Sequence, residues 1–460
     1  YWEIRLVREA LIERETLLRA VPHIAWPMRL GWPDAPDMPF EGHTPTSKLL
    51  GLTMPWMKGR RPAWLIRLGL FMYDTLGGRT ILKGTTSAPL HGTSEGAPLH
   101  DRFSHAYEYS DCWIEDSRLV VLNARDAEQR GAKIRTRTKV ISARASDGVW
   151  QVTLMTDDNR QEVIRTRMLV NAAGPWVEDV IRGTLGLNAT DGVRLVRGSH
   201  IVTRRLYDHD KCYFFQGTDG RIIFAIPYER DFTLIGTTDA EHADLAAKPE
   251  CTPEERDYLL KFASEYFKTP VTAEDDVWTY SGVRPLYDDG ASSATAATRE
   301  YVLKLDRSAG APLLNVFGGK ITTYRRLAEK ALQHIAEVFS DLKGPWTAGV
   351  PLPGGDFAVD GAEDLKREVV RRYPFVDDRW SDRLVKAYGT DSFDIFGDAT
   401  NAADLGRDFG ATLTEAELRW LRDREFARSA DDVLWRRSKL GLRLDAGQAD
   451  AIDDWFKASG

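Results

Sequence analysis

Three cations in the second half of the chain stand at strand ends or turns rather than on the charged face of a helix. They are Arg284 in SGVRPL, Arg299 in ATRE and Lys320 in FGGKITTY. Arginine offers a planar fork that matches phosphate or carboxylate, and lysine offers a mobile point charge. Brought together, the three would form a pocket for a small anion. Kept apart, each would pair with a nearby acid such as Asp288, Asp289 or Glu300. His200, in RGSHIV, lies on an alternating apolar stretch, where an imidazole either serves as an acid–base group or simply packs. Asp239, which closes LIGTTD, is open to the same two readings.

The elements that must hold these residues begin with LLNVFGGKITTY, Leu313 to Tyr324. An apolar run reads as a buried strand, stops at Gly318-Gly319, and turns through Lys320 into the helical RRLAEKALQHIAEVF. Such a turn leaves backbone N–H groups unpaired at the helix start, and glycines let an electron-rich ligand atom come close. Thr322 or Thr323 is placed to cap the helix. The same turn would serve any α/β protein as a connection, so the rest of the chain must give it meaning. A second junction of this kind is MLVNAAGPWVEDVI, Met168 to Ile181, with its break at Gly174-Pro175. Between the two, LVRGSHIVT, CYFFQ, RIIFAI and FTLIGTT alternate with period two and are broken by turn residues, notably Asp219-Gly220. That pattern predicts an antiparallel sheet. Pro253 to Phe267 reads as a helix, and Arg299 to Leu305 as a strand.

Nearer the start, residues 2–20 carry apolar side chains at helical spacing. The Pro- and Gly-rich stretch from Pro27 to Pro55 reads as irregular. Arg60 to Arg79 is apolar and aromatic with cationic ends. Trp56, Trp64, Phe71 and Tyr73 beside Arg60, Arg61 and Arg67 suit either a lipid interface or packing on a core. Asp116 to Arg130 reads as a helix with Asp116 as N-cap and Gly131 as its stop. Lys133 to Arg144 alternates like a strand, and Gly148–Met155 with Gln161–Thr166 reads as a hairpin. After Gly344 to Phe357, a Gly/Pro linker, the chain is mostly helical. Thr414-x-x-Glu417 and Ser429-x-x-Asp432 there are capping signatures.

Bulk properties exclude several classes. The 460 residues allow two or three domains, and a net charge of -7 argues against a nucleic-acid binder. Cys112, Cys212 and Cys251 are widely spaced, which fits a reducing compartment without structural disulfides. The nine histidines form no HExxH or HxH cluster, so no metal is expected. No apolar run reaches the length of a membrane span, and no secretory signal opens the chain. GxSxG, Walker A and kinase motifs are absent, and so is GxGxxG.

Taken in order, EYSDCWIEDSRLV, NAAGPWV, VRLVRGSHIV, IPYERDFTLIGTTD, WTYSGVRPLYDD, FGGKITTYRRLAE and ADDVLWRRSKLGL resemble one family nearly end to end. That family is the FAD-dependent glycerol-3-phosphate dehydrogenases of the respiratory chain. The resemblance implies an α/β protein with a Rossmann-like FAD-binding domain, an antiparallel-sheet substrate domain and a C-terminal helical domain. It divides the chain into an FAD-binding first part (1–192), an antiparallel substrate domain (193–283), an FAD-binding return segment (284–343), a linker (344–357) and a helical domain (358–460). Gly318, Gly319, Lys320, Ile321 and Thr322 would line the flavin ring, Ala173, Gly174 and Trp176 the diphosphate and ribityl chain, and Val140 the adenine. Arg284, Arg299 and Lys320 would hold glycerol 3-phosphate, the arginines chiefly through its phosphate. The implied reaction takes a hydride from C2 of that substrate to FAD and gives dihydroxyacetone phosphate. Arg284 or Lys320 would steady the developing alkoxide, and His200 is a candidate for the proton.

Electrons would pass to a membrane quinone, or to oxygen in the related oxidases. The aromatic stretch would attach the protein peripherally to the cytoplasmic face of the inner membrane, and a homodimer is expected. The family opens with a strand and a GxGxxG turn for the FAD diphosphate. This sequence begins at Tyr1, at a position just past that unit. The FAD-binding domain is therefore expected to be incomplete at its N-terminus, which leaves a catalytically silent protein as a further reading.

Overall fold

The computed structural model describes residues 4–34, 39–40, 59–60, 63–188, 191–217, 221–290 and 300–459. It comprises two compact units. The first holds residues 1–12, 28–111 and 138–342, and the second residues 13–27, 112–137 and 343–460. The boundaries expected at 192/193 and 283/284 fall inside the first unit and stand as a proposal for its subdivision.

The chain opens with α1 (Ile4–Ala20), as its apolar spacing predicts. The next stretch departs from expectation, because Ala25–Asp34 is a ten-residue strand, β1, rather than irregular chain. Its Pro27 and Pro33 read as breakers from sequence alone. The strand is made by long-range parallel pairing, with Leu30 opposite Cys212 and Gly31 opposite Tyr213. Short strands β2 (Pro39–Phe40) and β3 (Gly59–Arg60) pair with each other, and α2 (Ala63–Leu76) follows. Strands β4 (Thr86–Pro89) and β5 (His105–Ile114) pair antiparallel.

Helix α3 (Asp116–Gln129) takes Glu115 as its N-cap, with no side-chain cap bond. Asp116 therefore sits inside the first turn, where its charge meets the helix dipole, and does not cap as expected. The strand expected over 133–144 is shifted to β6 (Thr138–Ser146), paired with β7 (Val149–Thr156). The hairpin forms as its alternation predicts, with β8 (Gln161–Thr166) against β7.

Strand β9 (Leu169–Asn171) leads to the first glycine turn. Then come β10 (Val193–Arg204), β11 (Cys212–Gln216), β12 (Ile222–Tyr228), β13 (Phe232–Gly236), β14 (Ala240–Glu241), α4 (Pro253–Ser264) and β15 (Asp276–Tyr287). Asp219-Gly220 lies outside the described residues. The large sheet runs β14-β10-β13-β12-β11-β1-β5-β4, with β15 on the other edge of β10. Its two faces follow from the strand period. Ile201, Phe215, Ile223, Ala225 and Ile235, none of them exposed, turn one way and pack with Leu259, Phe262 and Ala263 of α4. At about 1.5–3 kcal/mol for each fully buried side chain, this face holds the sheet to the helix. His200 and its neighbours turn the other way.

The second sheet is β16 (Val302–Asp306), β17 (Leu313–Phe317) and β9, in the order β16-β17-β9. Every residue of β17 is buried. It runs parallel to β9, with Asn315 opposite Asn171, so both glycine turns leave the same end of the sheet. Helix α5 (Tyr324–Ile335) follows the second turn.

The second unit packs α6 (Ala362–Arg372), α7 (Asp378–Tyr388), α8 (Glu415–Arg424) and α9 (Ala446–Ser459) around Leu384, Val385, Leu418, Leu421, Val433 and Ile452. Thr414 caps α8 through the N–H of Glu417, as its signature predicts. The stretch expected as a linker packs inside this unit. Leu352 N–H donates to the Ala20 carbonyl at 3.0 Å, and Thr390 N–H to that of Gly354 at 3.0 Å. Arg118 meets Glu425 here through two hydrogen bonds, the Nη2–Oε1 bond at 2.9 Å, with both side chains buried.

Candidate active site

The open face of the large sheet is set by register. On β10, Val196, Gly198 and His200 project together, opposite Arg284, Gly282 and Tyr280 of β15. Gly236 of β13 lies opposite His200 on the other side. The glycines make room for large neighbours. A Cβ on Gly198 would stand 2.5 Å from Arg284 Nη2 and 2.7 Å from Thr237 Oγ1, and one on Gly236 would stand 2.1 Å from His200 Cδ2.

Arg284 donates to Asp239 Oδ1 and, at 3.2 Å, to Thr237 Oγ1. It thus has an acidic partner, but one 45 residues away rather than Asp288, Asp289 or Glu300. Its side chain keeps 40% exposure, so the guanidinium is oriented by Asp239 and still meets solvent. The His200 ring stacks on Tyr280 with centroids 4.9 Å apart and planes 5° from parallel. His200 Nδ1 is buried without a hydrogen-bond partner. Burial, and then the positive charge of Arg284, push its pKa down to about 4, so the ring is neutral at pH 7.

The second glycine turn abuts this corner. Gly318 has φ +70°, and a Cβ there would come within 2.9 Å of the Glu300 carbonyl and 3.4 Å of Tyr287 N. The turn therefore lies against the end of β15, a few residues from Arg284. Gly319 follows at φ +115°, and Lys320 opens a short 3-10 helix, Ile321–Thr323, with no side-chain cap. Neither the expected cap at Thr322 nor that at Thr323 forms. Thr323 is the N-cap of α5 but makes no cap bond, because its hydroxyl donates back to the Lys320 carbonyl at 3.3 Å.

At the first turn, Ala173 is half-buried, Gly174 has φ +57° with open space above it, and Trp176 is 52% exposed. Asn171 braces this turn. Its Nδ2 donates to the Val177 carbonyl and to Asn315 Oδ1, both at 3.0 Å, while its own Oδ1 is buried without a partner. Val140 is exposed at a bulge in the separate sheet β6–β8. Arg299 lies outside the described residues.

Sequence reasoning did not single out Thr237, Tyr280, Asn171 or the strand glycines 198 and 236. The available signal was a glycine inside a strand pattern, which marks close approach of a neighbour. The aromatic row Trp32–Phe214–Phe224 on the same open face was also missed, with centroids 5.1 and 5.4 Å apart.

The chain belongs to the FAD-dependent oxidoreductases. The family described as FAD dependent oxidoreductase matches residues 3–325, and the C-terminal domain of alpha-glycerophosphate oxidase matches residues 345–454. Within that class it is 44% identical to the D-erythritol 1-phosphate dehydrogenase of Brucella abortus, across 99% of this chain and 87% of that one. It is 41% identical to the aerobic glycerol-3-phosphate dehydrogenase of Escherichia coli, across 99% and 86%. Among solved structures, the glycerol-3-phosphate dehydrogenase from Bacillus halodurans complexed with FAD shares the fold. Its TM-score is 0.69 at 20% identity, covering 98% of this chain and 85% of that one. The expected fold class therefore holds, and the cofactor is FAD.

The residues present fit that cofactor. Two parallel strands end side by side in left-handed glycine turns, one of them opening a helix without a side-chain cap. Beside them are a buried acceptor without a donor, Asn171 Oδ1, and an exposed indole, Trp176. The turns at Ala173–Trp176 and Gly318–Thr322 would hold it.

Proposed function

We propose that the protein oxidises sn-glycerol 3-phosphate to dihydroxyacetone phosphate and delivers the electrons to a membrane quinone. The observation that carries this reading is the placement of Arg284 and His200. An oriented, half-exposed arginine lies beside a neutral imidazole, on the strand whose end meets the Gly318–Lys320 turn. Arg284, Arg299 and Lys320 hold the substrate, the arginines chiefly through its phosphate, and Arg284 or Lys320 steadies charge developing on the C2 oxygen. His200 Nδ1 is sealed in the protein, so Nε2 takes the C2 hydroxyl proton. Burial is the larger cause of the low His200 pKa and the Arg284 charge the second, and docking of the phosphate dianion relieves the second of these. Bound FAD supplies the hydride acceptor.

A four-carbon polyol phosphate is a second reading, favoured by the 44% identity to the erythritol-phosphate enzyme. Peripheral attachment through α2 is supported by Phe71 and Met72, exposed by 63% and 44%, near an exposed Arg67. Among the described residues no helix is long and apolar enough to cross a membrane. A homodimer is proposed on the family resemblance.

The test is the visible spectrum of the purified protein, before and after anaerobic addition of glycerol 3-phosphate or erythritol 1-phosphate. A flavin band bleached by the first at lower concentration supports the main reading, and the reverse order supports the second. A protein without a flavin band would be catalytically silent. Reoxidation by a soluble quinone rather than by oxygen separates dehydrogenase from oxidase.

A further inference from the structure

We propose that Glu255 and Thr238, on the packed side of the large sheet, are positioning residues for Arg284 on its open side. Helix α4 begins with a capping box, in which Thr252 Oγ1 accepts from Glu255 N at 3.2 Å and Glu255 Oε2 accepts from Thr252 N at 3.0 Å. In an ordinary box the carboxylate's task ends there. Here Thr238 also donates to Glu255 Oε1 at 2.8 Å, and Arg197 Nη2 to Oε2 at 2.9 Å. Burial works against the Glu255 charge, but the Thr252 and Thr238 hydrogen bonds and the Arg197 charge win, and its pKa falls.

Thr238 passes this anchorage to β10. Its Oγ1 accepts from Ser199 N at 3.0 Å, and its own N–H donates to the Ser199 carbonyl at 3.3 Å. Thr238 and Ser199 are both buried. Strand β13 has ended at Gly236, and pairing to β10 resumes only at Ala240. The three residues between are therefore held to β10 through Thr238. Its neighbours Thr237 and Asp239 face the other way, and they are the residues that hold the Arg284 guanidinium. A carboxylate behind the sheet thus sets where the anion-binding fork points in front of it.

The inference rests on the reading of Arg284 as a phosphate ligand, and its test separates the two. Thr238→Val keeps the shape and removes the hydroxyl. It should raise KM for glycerol 3-phosphate about tenfold, with kcat per bound flavin changed less than about threefold, the mark of lost uniform binding. Thr238→Ser should restore KM. Independently of turnover, phenylglyoxal labelling of Arg284, mapped by mass spectrometry, should quicken severalfold in the valine variant and return to the wild-type rate in the serine variant. Wild-type KM and labelling rate in Thr238→Val would overturn the inference. So would a lowered melting temperature with neither of them changed, or failure of serine to rescue. A wild-type protein inert to glycerol 3-phosphate would sink the substrate reading, while Arg284 labelling still decides the positioning role.

Discussion

Replacing Gly236 by alanine would put a methyl carbon 2.1 Å from His200 Cδ2, 2.7 Å from Cγ and 2.8 Å from Nε2. Non-bonded carbons rest about 3.5–4.0 Å apart, so the ring must retreat by about 1.4 Å or the strands must part. Retreat is obstructed, because β10 lies between β13 and β15 and the ring on the far side is Tyr280, already stacked at 4.9 Å. A displacement of about 1 Å in a catalytic group costs on the order of a hundredfold in rate, or about 2.7 kcal/mol in the barrier. The assay is glycerol 3-phosphate-dependent reduction of an artificial dye, with the rate expressed per bound FAD. Gly31→Ala is the control. It lies on β1 of the same sheet, opposite the core residue Tyr213 and away from the open face. Its Cβ would meet only the Cys212 carbonyl, at an ordinary 3.8 Å, and its rate should stay within about twofold of wild type. Wild-type kcat in Gly236→Ala would show that His200 does not take the proton. An equal loss in both variants would show that the glycines matter for folding rather than for the ring.

Other expectations concern stability and attachment. His23 is 1% exposed with both ring nitrogens unpartnered, and burial, then the charges of Arg118 and Arg125, holds its pKa at about 3. The unfolded chain binds its proton below about 6.5 and the folded chain does not, so this residue removes about 1.4 kcal/mol per pH unit as pH falls from 6.5 toward 3. In urea titrations at several pH values, His23→Gln should flatten the acid slope by one proton, and an unchanged slope refutes this. Glu425→Ala strands the buried Arg118 charge and should cost about 3–5 kcal/mol, whereas Arg118→Met with Glu425→Met recovers much of it. Chemical denaturation measures both, and a double variant as unstable as the single one contradicts the reasoning. Phe71→Glu with Met72→Glu should lower co-sedimentation with anionic vesicles at least tenfold, on the order expected for two apolar side chains, and undiminished binding rules out α2 as the attachment.

Local signals carried much of the architecture. Period-two alternation in residues 193–236 needs only neighbours in sequence to be read, and it marks the antiparallel strands. The apolar run before Gly318-Gly319 likewise marks a buried strand meeting a helix. Thr414 reaches Glu417 within one turn, so that cap was legible too. The linker reading of Gly344–Phe357 came from composition, which does not reveal that its carbonyls and N–H groups have partners elsewhere in the second unit.

The sequence by itself determined the kinds of residue available for chemistry, the strands and helices whose pattern is local, and the family to which they belong. Tertiary structure alone decided their partners. Asp239, Asp288 and Asp289 look alike along the chain, and Arg284 meets Asp239 because β15 and the segment after β13 flank β10 on its two edges. Strand β1 exists because β11, about 180 residues later, completes its hydrogen bonds despite its prolines. Gly198 and Gly236 read as breaks in a strand, yet each is the space that an arginine or a histidine fills. Hydrogen bonds and steric exclusion act over a few ångströms, and only folding brings distant residues within that range.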